Sequence, residues 1–305
     1  MSAAPEPTGI QVVAVIGGGT MGRGIAQVSA GAGYATALYD VEPEVVHEAR
    51  AAIEETLEKG IDRGKVSRQE KAETLERLRL ESDLAEAVMD ADLVVEAIPE
   101  ILEAKRELFG ELDARCPTGT ILASNTSSLP IAELAAATER PARVLGLHFF
   151  NPVHIMRLVE VVVTPDTGPD VRSAAVETVR RMGKEPIVVR DVPGFATSRL
   201  GLALGLEAMR MLEEGVASVA DIDTAMELGY NHPMGPLRLT DLVGLDVRLA
   251  IADHLADTLS YSRFQPPEIL RRLVAEGKLG KKTGEGFYRW EEGEAVPTTP
   301  TEDTP

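Results

Sequence analysis

Near its amino end the chain runs Ile10-Gln11-Val12-Val13-Ala14-Val15-Ile16 and then Gly17-Gly18-Gly19-Thr20-Met21-Gly22. Residues 10–16 read as a short buried strand, and residues 21–32 carry helical spacing with small side chains. Strand, glycine-rich turn and helix together open a parallel α/β unit. G-x-G-x-x-G strings are common by themselves, so the context decides. A second apolar run, residues 35–39, ends at Asp40, which lies 23 residues after Gly17, the spacing of a dinucleotide-binding fingerprint. Gly17 then makes the tight turn, Gly19 lets a pyrophosphate approach the backbone, and Gly22 lets the helix pack on the strand, with Thr20 and Met21 beside the cofactor. N–H groups at the start of the helix supply partial positive charge to the phosphates. Asp40 would accept from a ribose 2′-hydroxyl and repel a 2′-phosphate, which favours NAD over NADP. A flavin dinucleotide also fits the motif, although no second motif supports it.

Outward from this unit the alternation continues. A charged helix is expected over residues 42–63, strands over 93–98, 120–123, 144–149, 158–163 and 186–189, and helices over 100–113 and 170–182. Such an order implies a Rossmann-like, mostly parallel sheet with helices on both faces. After Asp191-Val192-Pro193-Gly194 the period becomes helical throughout, over 195–214, 219–228, 236–259 and 267–275, and strands are expected to stop. The reading is therefore an α/β dinucleotide-binding domain at 1–190, an all-helical domain at 191–292, and a flexible Pro-, Thr- and Glu-rich tail at 293–305.

Composition narrows the partners. The chain has 305 residues, 44% hydrophobic and 26% charged, with 49 acidic against 31 basic residues for a formal charge of −18. A surface so acidic disfavours nucleic acid and anionic lipid. A small anion must be met by a local basic cluster or by backbone N–H groups. No apolar run reaches the roughly 18 residues of a membrane span, and residues 1–9 lack the pattern of a signal or transit peptide. A cytoplasmic location is expected. One cysteine, Cys116, excludes an internal disulfide and a multi-Cys metal site; no metal is expected, and Cys116-Pro117 reads as the start of a loop.

Five histidines are candidates for acid–base chemistry. His47 and His254 lie in helical patterns and read as surface or packing residues; His154 and His232 lie in Pro-containing loops. His148 differs, because it interrupts an apolar strand at its carboxyl end, where open parallel sheets bind ligands. Glu160 stands inside Leu158-Val159-Glu160-Val161-Val162-Val163 and, unless it faces solvent at a strand edge, needs a hydrogen-bonded or charged mate. His148 and Glu160 are candidates for that pair. Ser124-Asn125-Thr126-Ser127-Ser128 follows another strand end and supplies polar groups to the same edge or a cap to a helix over residues 131–137. Residues 59–71 carry five basic side chains, Lys59, Arg63, Lys65, Arg68 and Lys71, against Asp62 and Glu70.

Gly-Gly-Gly-Thr-Met-Gly at 17–22, Val94-Val95-Glu96-Ala97-Ile98, the 124–128 string, His148-Phe149-Phe150-Asn151-Pro152, Leu158-Val159-Glu160-Val161-Val162 and Gly280-Lys281-Lys282-Thr283-Gly284-Glu285-Gly286-Phe287-Tyr288 together resemble the L-3-hydroxyacyl-CoA dehydrogenase family across roughly residues 10–290. The resemblance implies NAD-dependent interconversion of (3S)-3-hydroxyacyl-CoA and 3-ketoacyl-CoA. With no fused hydratase region, the stand-alone, short-chain 3-hydroxybutyryl-CoA type is expected, as a homodimer joined through the helical domains. It further implies a catalytic dyad of His148 and Glu160, with Ser127 at the substrate oxygen. Asp40, Glu100, Lys105, Ser127, Asn151 and Lys282 fall at cofactor positions, Ser127 and Asn151 also at substrate positions, and Thr56 and Arg63 at positions that touch CoA. One departure stands out: Ser198 replaces the Asn that usually precedes Arg199 and contacts the reacting centre. A sugar-acid dehydrogenase of the same fold and a non-catalytic nucleotide-binding relative are the competing readings.

Overall fold

A computed structural model describes residues 9–297. The chain divides into two compact units, Met1–Phe195 and Ala196–Pro305. Residues 191–195 stay with the first unit rather than opening the second. Asp191 accepts the backbone N–H groups of Ile131 and Ala132 at 3.0 and 2.8 Å, and Phe195 is buried in the first unit's core.

In chain order the first unit contains β1 (Val12–Ile16), α1 (Thr20–Gly31), β2 (Ala35–Tyr39), α2 (Pro43–Asp62), α3 (Arg68–Glu76), β3 (Leu78–Glu81), α4 (Leu84–Val88), β4 (Leu93–Glu96), α5 (Leu102–Arg115), β5 (Ile121–Ser124), α6 (Ile131–Ala135), β6 (Val144–Phe149), β7 (Leu158–Val163), α7 (Pro169–Arg181) and β8 (Glu185–Arg190). The sheet order is β3-β2-β1-β4-β5-β6-β7-β8, parallel except where β6 meets β7. Alternation along β1 divides its side chains between two cores: Val13 and Val15 face one, Ala14 and Ile16 the other. This is the two-faced burial of a doubly wound sheet. Strand order reverses between β1 and β4, so the loops after β1, β4, β5 and β6 collect at one edge, where such sheets bind ligands.

The second unit holds α8 (Thr197–Glu213), α9 (Val219–Gly229), α10 (Pro236–Val243), α11 (Leu245–Leu259) and α12 (Glu268–Ala275), followed by β9 (Tyr288–Glu291) and β10 (Glu294–Pro297). Two expectations need correction here. The single helix over residues 236–259 is two, broken at Gly244, whose φ of 104° leaves the helical region. Strands also return: β9 and β10 pair antiparallel across Glu292-Gly293, both at positive φ (50° and 90°), which is the geometry of a tight two-residue hairpin. The tail expected from residue 293 is thus a strand over 294–297, and residues 298–305 lie outside the described residues.

Candidate active site

The glycine loop closes by direct contact. Gly17 takes φ 107°, and a Cβ on Gly22 would lie 1.7 Å from the Gly17 carbonyl oxygen, so any side chain there would push α1 off β1. Gly19 caps α1 without a side-chain hydrogen bond, leaving the first-turn N–H groups to face a cavity of about 690 Å³ lined by Gly17, Gly19, Thr20, Met21 and Asp40. Asp40 accepts from Gly18 N at 2.7 Å and from Glu42 N at 3.1 Å. Its carboxylate is thereby fixed at the cavity wall. An N-terminal cradle for phosphates with an anchored carboxylate beside it fits NAD.

At the same edge, His148 and Glu160 sit directly opposite each other in the antiparallel β6–β7 register. Nδ1 of His148 is 2.7 Å from Oε2 of Glu160, with the histidine 7% exposed and the glutamate fully buried. Glu160 is therefore no solvent-facing edge residue. With Nδ1 committed to the carboxylate, Nε2 is the nitrogen left to exchange a proton with a ligand. Phe150 and Phe195 pack against the imidazole at centroid distances of 4.4 and 6.0 Å and limit its rotation. His148, Asn125, Ser127, Asn151, Glu100 and Lys105 line a cavity of about 360 Å³, and Met21, Ala97 and Ile98 line both it and the cofactor cavity.

Ser127 is held by Glu100, which accepts its backbone N–H at 3.0 Å and the Thr126 hydroxyl at 2.6 Å. Burial works to raise the Glu100 carboxyl; the Thr126 hydroxyl, the Lys105 ammonium and the Ser127 amide outweigh it and hold the group below its ordinary range. The 124–128 string does not cap the following helix, since Asp191 performs that task at α6.

Further lining residues connect this site to a basic recess. Asn151 lines both the catalytic cavity and a smaller one of about 140 Å³, which shares Gln27, Thr56 and His154 with a recess of about 790 Å³. Lys59, Arg63, Lys65, Arg157, Arg181 and Lys184 line that recess, against one acid, Glu70. Lys59 and Lys71 from the basic run are neutralised by Glu55 at 2.6 Å and Glu58 at 2.5 Å. Arg63 and Lys65 pair with no carboxylate among the described residues. Among the described residues Lys184 donates only to the carbonyls of Val153 and Met156, and burial lowers its pKa. His154 is lowered too, by burial first and then by Lys184 and Arg63. Thr56 lies on the wall, its hydroxyl donating to Ala52 O at 2.8 Å. Sequence reasoning found Thr56 and Arg63 but missed Arg157, Arg181 and Lys184, which lie more than 90 residues further along the chain.

Ser198 and Lys282 belong to the second unit. Ser198 is in the first turn of α8, whose N-cap is Ala196, so capping is not its task. Lys282 binds both oxygens of Asp246 at 2.5 and 2.7 Å. The glycine string that contains Lys282 wraps a buried carboxylate: a Cβ on Gly286 would lie 2.3 Å from Asp241 Oδ1. Asp241 accepts from Phe287 N at 2.8 Å, Tyr288 N at 2.9 Å and Trp290 Nε1 at 3.0 Å. Cys116 is buried with its thiol pushed up to about 11, chiefly by desolvation, which leaves it inert at neutral pH. Among the described residues no cluster of metal-ligating side chains occurs, and no helix is long and apolar enough to cross a membrane.

A dinucleotide cradle, an imidazole backed by a buried carboxylate, and a hydroxyl-bearing loop define an NAD-linked alcohol dehydrogenase by class. The NAD-binding domain of 3-hydroxyacyl-CoA dehydrogenase matches residues 12–192, and that family's C-terminal domain matches residues 194–290. The chain belongs to the NAD-dependent 3-hydroxyacyl-CoA dehydrogenase family. It is 44% identical over 283 residues to a probable 3-hydroxybutyryl-CoA dehydrogenase of Bacillus subtilis, covering 93% of this chain and 98% of that one. It is 45% identical over 297 residues to the human mitochondrial hydroxyacyl-coenzyme A dehydrogenase, covering 95% and 94%. Ralstonia eutropha (S)-3-hydroxybutyryl-CoA dehydrogenase PaaH1 superposes with a TM-score of 0.90 at 37% identity, over 93% of this chain and all of that one.

Proposed function

We propose that the enzyme interconverts (3S)-3-hydroxybutyryl-CoA and acetoacetyl-CoA with NAD, as a cytoplasmic homodimer in fatty acid metabolism. The observation that carries the catalytic part is the His148–Glu160 pair at 2.7 Å beside a cavity that also presents Ser127 and Asn151. NAD, when bound, supplies the hydride acceptor for the carbinol carbon. His148 Nε2 removes the hydroxyl proton, because it is the ring nitrogen that the carboxylate leaves free. Glu160 fixes the tautomer and stabilises the imidazolium that forms. Ser127 donates to the substrate oxygen, Asn151 faces both cofactor and thioester, and Ser198 stands where the family places an Asn at the reacting centre. Asp40, Glu100 and Lys282 serve the cofactor. In an acidic chain the basic recess at Arg63, Lys65 and Lys184 receives the CoA phosphates, with Thr56 on the path to it.

For the dimer, the support is apolar exposure on the second unit: Leu200 on α8, Leu239, Leu242 and Val243 on α10, and Val247 on α11 are each 39–72% exposed. Large apolar side chains exposed on three helices of one unit are what an interaction surface offers, and light scattering should give twice the monomer mass at micromolar concentration. The main test is NADH oxidation with acetoacetyl-CoA, compared with longer 3-ketoacyl-CoAs and with L-gulonate plus NAD. Activity on gulonate alone would transfer the site to sugar acids. Comparing kcat/KM for NAD and NADP checks Asp40: a strong preference for NAD is expected, and a ratio near one removes the ribose role from that residue.

A further inference from the structure

We infer that Glu96 is a positioning residue for the substrate-facing loop at 124–128, acting through Lys105 and Glu100; the inference rests on the reading of Ser127 as the substrate-oxygen contact. Glu96 ends β4 and is fully buried. One carboxylate oxygen accepts Ile98 N at 2.7 Å and Lys105 Nζ at 2.5 Å, and the other accepts the Ser124 hydroxyl at 2.6 Å.

Lys105 is 1% exposed and, besides Glu96, faces Ile98 O at 3.1 Å and Glu100 Oε2 at 3.4 Å. An ammonium has three hydrogens, and three acceptors surround this one. The ammonium is thus held between the two carboxylates, and its influence on the loop passes through Glu100. The other oxygen of Glu100 holds the Thr126 hydroxyl at 2.6 Å and Ser127 N at 3.0 Å, and stands 3.4 Å from the Ser127 and Ser128 hydroxyls. The row is carboxylate, ammonium, carboxylate, loop.

Ion pairs out of water are strong and intolerant of a missing partner. With both carboxylates charged, the cation is shared and held on the Glu96 side, at 2.5 Å against 3.4 Å. If Glu96 becomes neutral, Lys105 must take all its compensation from Glu100, and the pull rotates that carboxylate off Thr126 and Ser127. If Lys105 is neutral as well, the pull vanishes and Glu100 stays on the loop. The relay thus predicts a sign that simple loss of packing does not: the double variant Glu96→Gln/Lys105→Met should outperform the single variant Glu96→Gln.

Wild type, Glu96→Gln, Lys105→Met and the double variant are compared by kcat/KM for acetoacetyl-CoA, by thermal midpoint, and by amide hydrogen exchange of residues 124–128. Coupled groups in contact interact by about 2- to 150-fold. Glu96→Gln should lower kcat/KM by roughly tenfold or more and speed exchange in the loop, and the double variant should recover at least about threefold of that loss and slow exchange again. A double variant no faster than Glu96→Gln, or a folded Glu96→Gln with wild-type kinetics and exchange, overturns the inference. Where Glu96→Gln has no thermal transition, the double variant must at least equal Lys105→Met in both readouts, and a lower value overturns it. Exchange needs no substrate, so a wild type inactive on acetoacetyl-CoA defeats the functional reading while the relay is still decided by the loop.

Discussion

Glu160 in the first unit and Asp241 in the second are both buried carboxylates, and their partners differ in kind. Glu160 faces His148 at 2.7 Å, and Glu96 nearby faces Lys105 at 2.5 Å. Asp241 accepts from two backbone N–H groups and an indole, and Asp223 from two backbone N–H groups and the Tyr288 hydroxyl at 2.8 Å. Neither aspartate has an ion-pair partner among the described residues. A carboxylate paired with a titratable or mobile cation can respond when charge appears beside it. One saturated by N–H and O–H donors can only fasten the segments that donate. On the proposed reading the charge pairs at the sheet edge serve the reaction, His148–Glu160 directly and Glu96–Lys105 by positioning, whereas the carboxylates wrapped in donors in the second unit fasten the glycine string and the hairpin.

The sharpest way to break that contrast is at the dyad. His148→Gln should lower kcat by about 10²–10⁴, the usual worth of general acid–base catalysis, with NADH affinity little changed. Glu160→Gln should slow turnover as well, because the imidazolium loses its counter-charge while the hydrogen bond geometry survives. Steady-state kinetics decide this, and wild-type turnover by both variants at saturating substrate removes the pair from the mechanism.

Legibility followed burial. The strands 35–39, 144–149 and 158–163 have the ends expected of them, because short, mostly apolar and mostly buried runs leave little choice. β3 went unread: Leu-Arg-Leu-Glu is an edge strand with one buried residue. α3 has no apolar stripe, and its start rests on a capping box between Ser67 and Glu70. His148 and Glu160 were each legible as a polar break in an apolar strand; their contact was not, because it depends on the antiparallel register of β6 and β7. Glu96 carries the same signal, a carboxylate ending Leu-Val-Val-Glu, and its partner Lys105 hides in a helix full of charged residues. Asp241 and Asp223 carry no such signal, since each stands among other polar residues of a helical run. Segments distant in sequence close over them: Gly286, Phe287 and Tyr288 on Asp241, and Gly235, Leu237, Arg238 and Tyr288 on Asp223.

Asp241→Asn tests the fastening role. An amide offers one oxygen where the carboxylate offers two, and its NH₂ must face an N–H donor, so the second unit should lose about 1–3 kcal/mol. Trp290 is the chain's single tryptophan and donates to Asp241, so its fluorescence reports this unit alone. The pH dependence sharpens the contrast. Burial raises Asp241 above its ordinary 3.8, and folding therefore takes up protons between 3.8 and the raised value; stability from this group falls as pH rises through that window. Glu100 is shifted down from 4.5, so its contribution is present above 4.5 and is lost as pH falls through the lowered value. On acidification from pH 6, Trp290 fluorescence should outlast the far-ultraviolet signal of the α/β unit, and Asp241→Asn should flatten the pH slope of the tryptophan transition. Coincident transitions with an unchanged slope would place the two carboxylates in the same category.

The smallest effect is expected at Ser198, where the two kinds of role meet. It lies in the first turn of α8 and does not cap it, so a purely structural serine there should matter to stability alone. If it stands at the reacting centre, its shorter side chain must reach the substrate oxygen through a water, at an immobilisation cost on the order of 0–2 kcal/mol, or leave His148 and Ser127 to orient the alcohol. Ser198→Ala should then lower kcat/KM by about tenfold, the equivalent of one neutral hydrogen bond of roughly 0.5–1.5 kcal/mol, with the Trp290 transition unmoved. Ser198→Asn should be tolerated and equal or exceed wild type. A lowered melting temperature with unchanged kcat/KM in the alanine variant would assign Ser198 to the fastening side of the contrast. An asparagine variant that is stable but inactive would mean that this enzyme holds the carbinol differently from the family to which it belongs, with the burden of orientation on Ser127 and the Glu100 relay behind it.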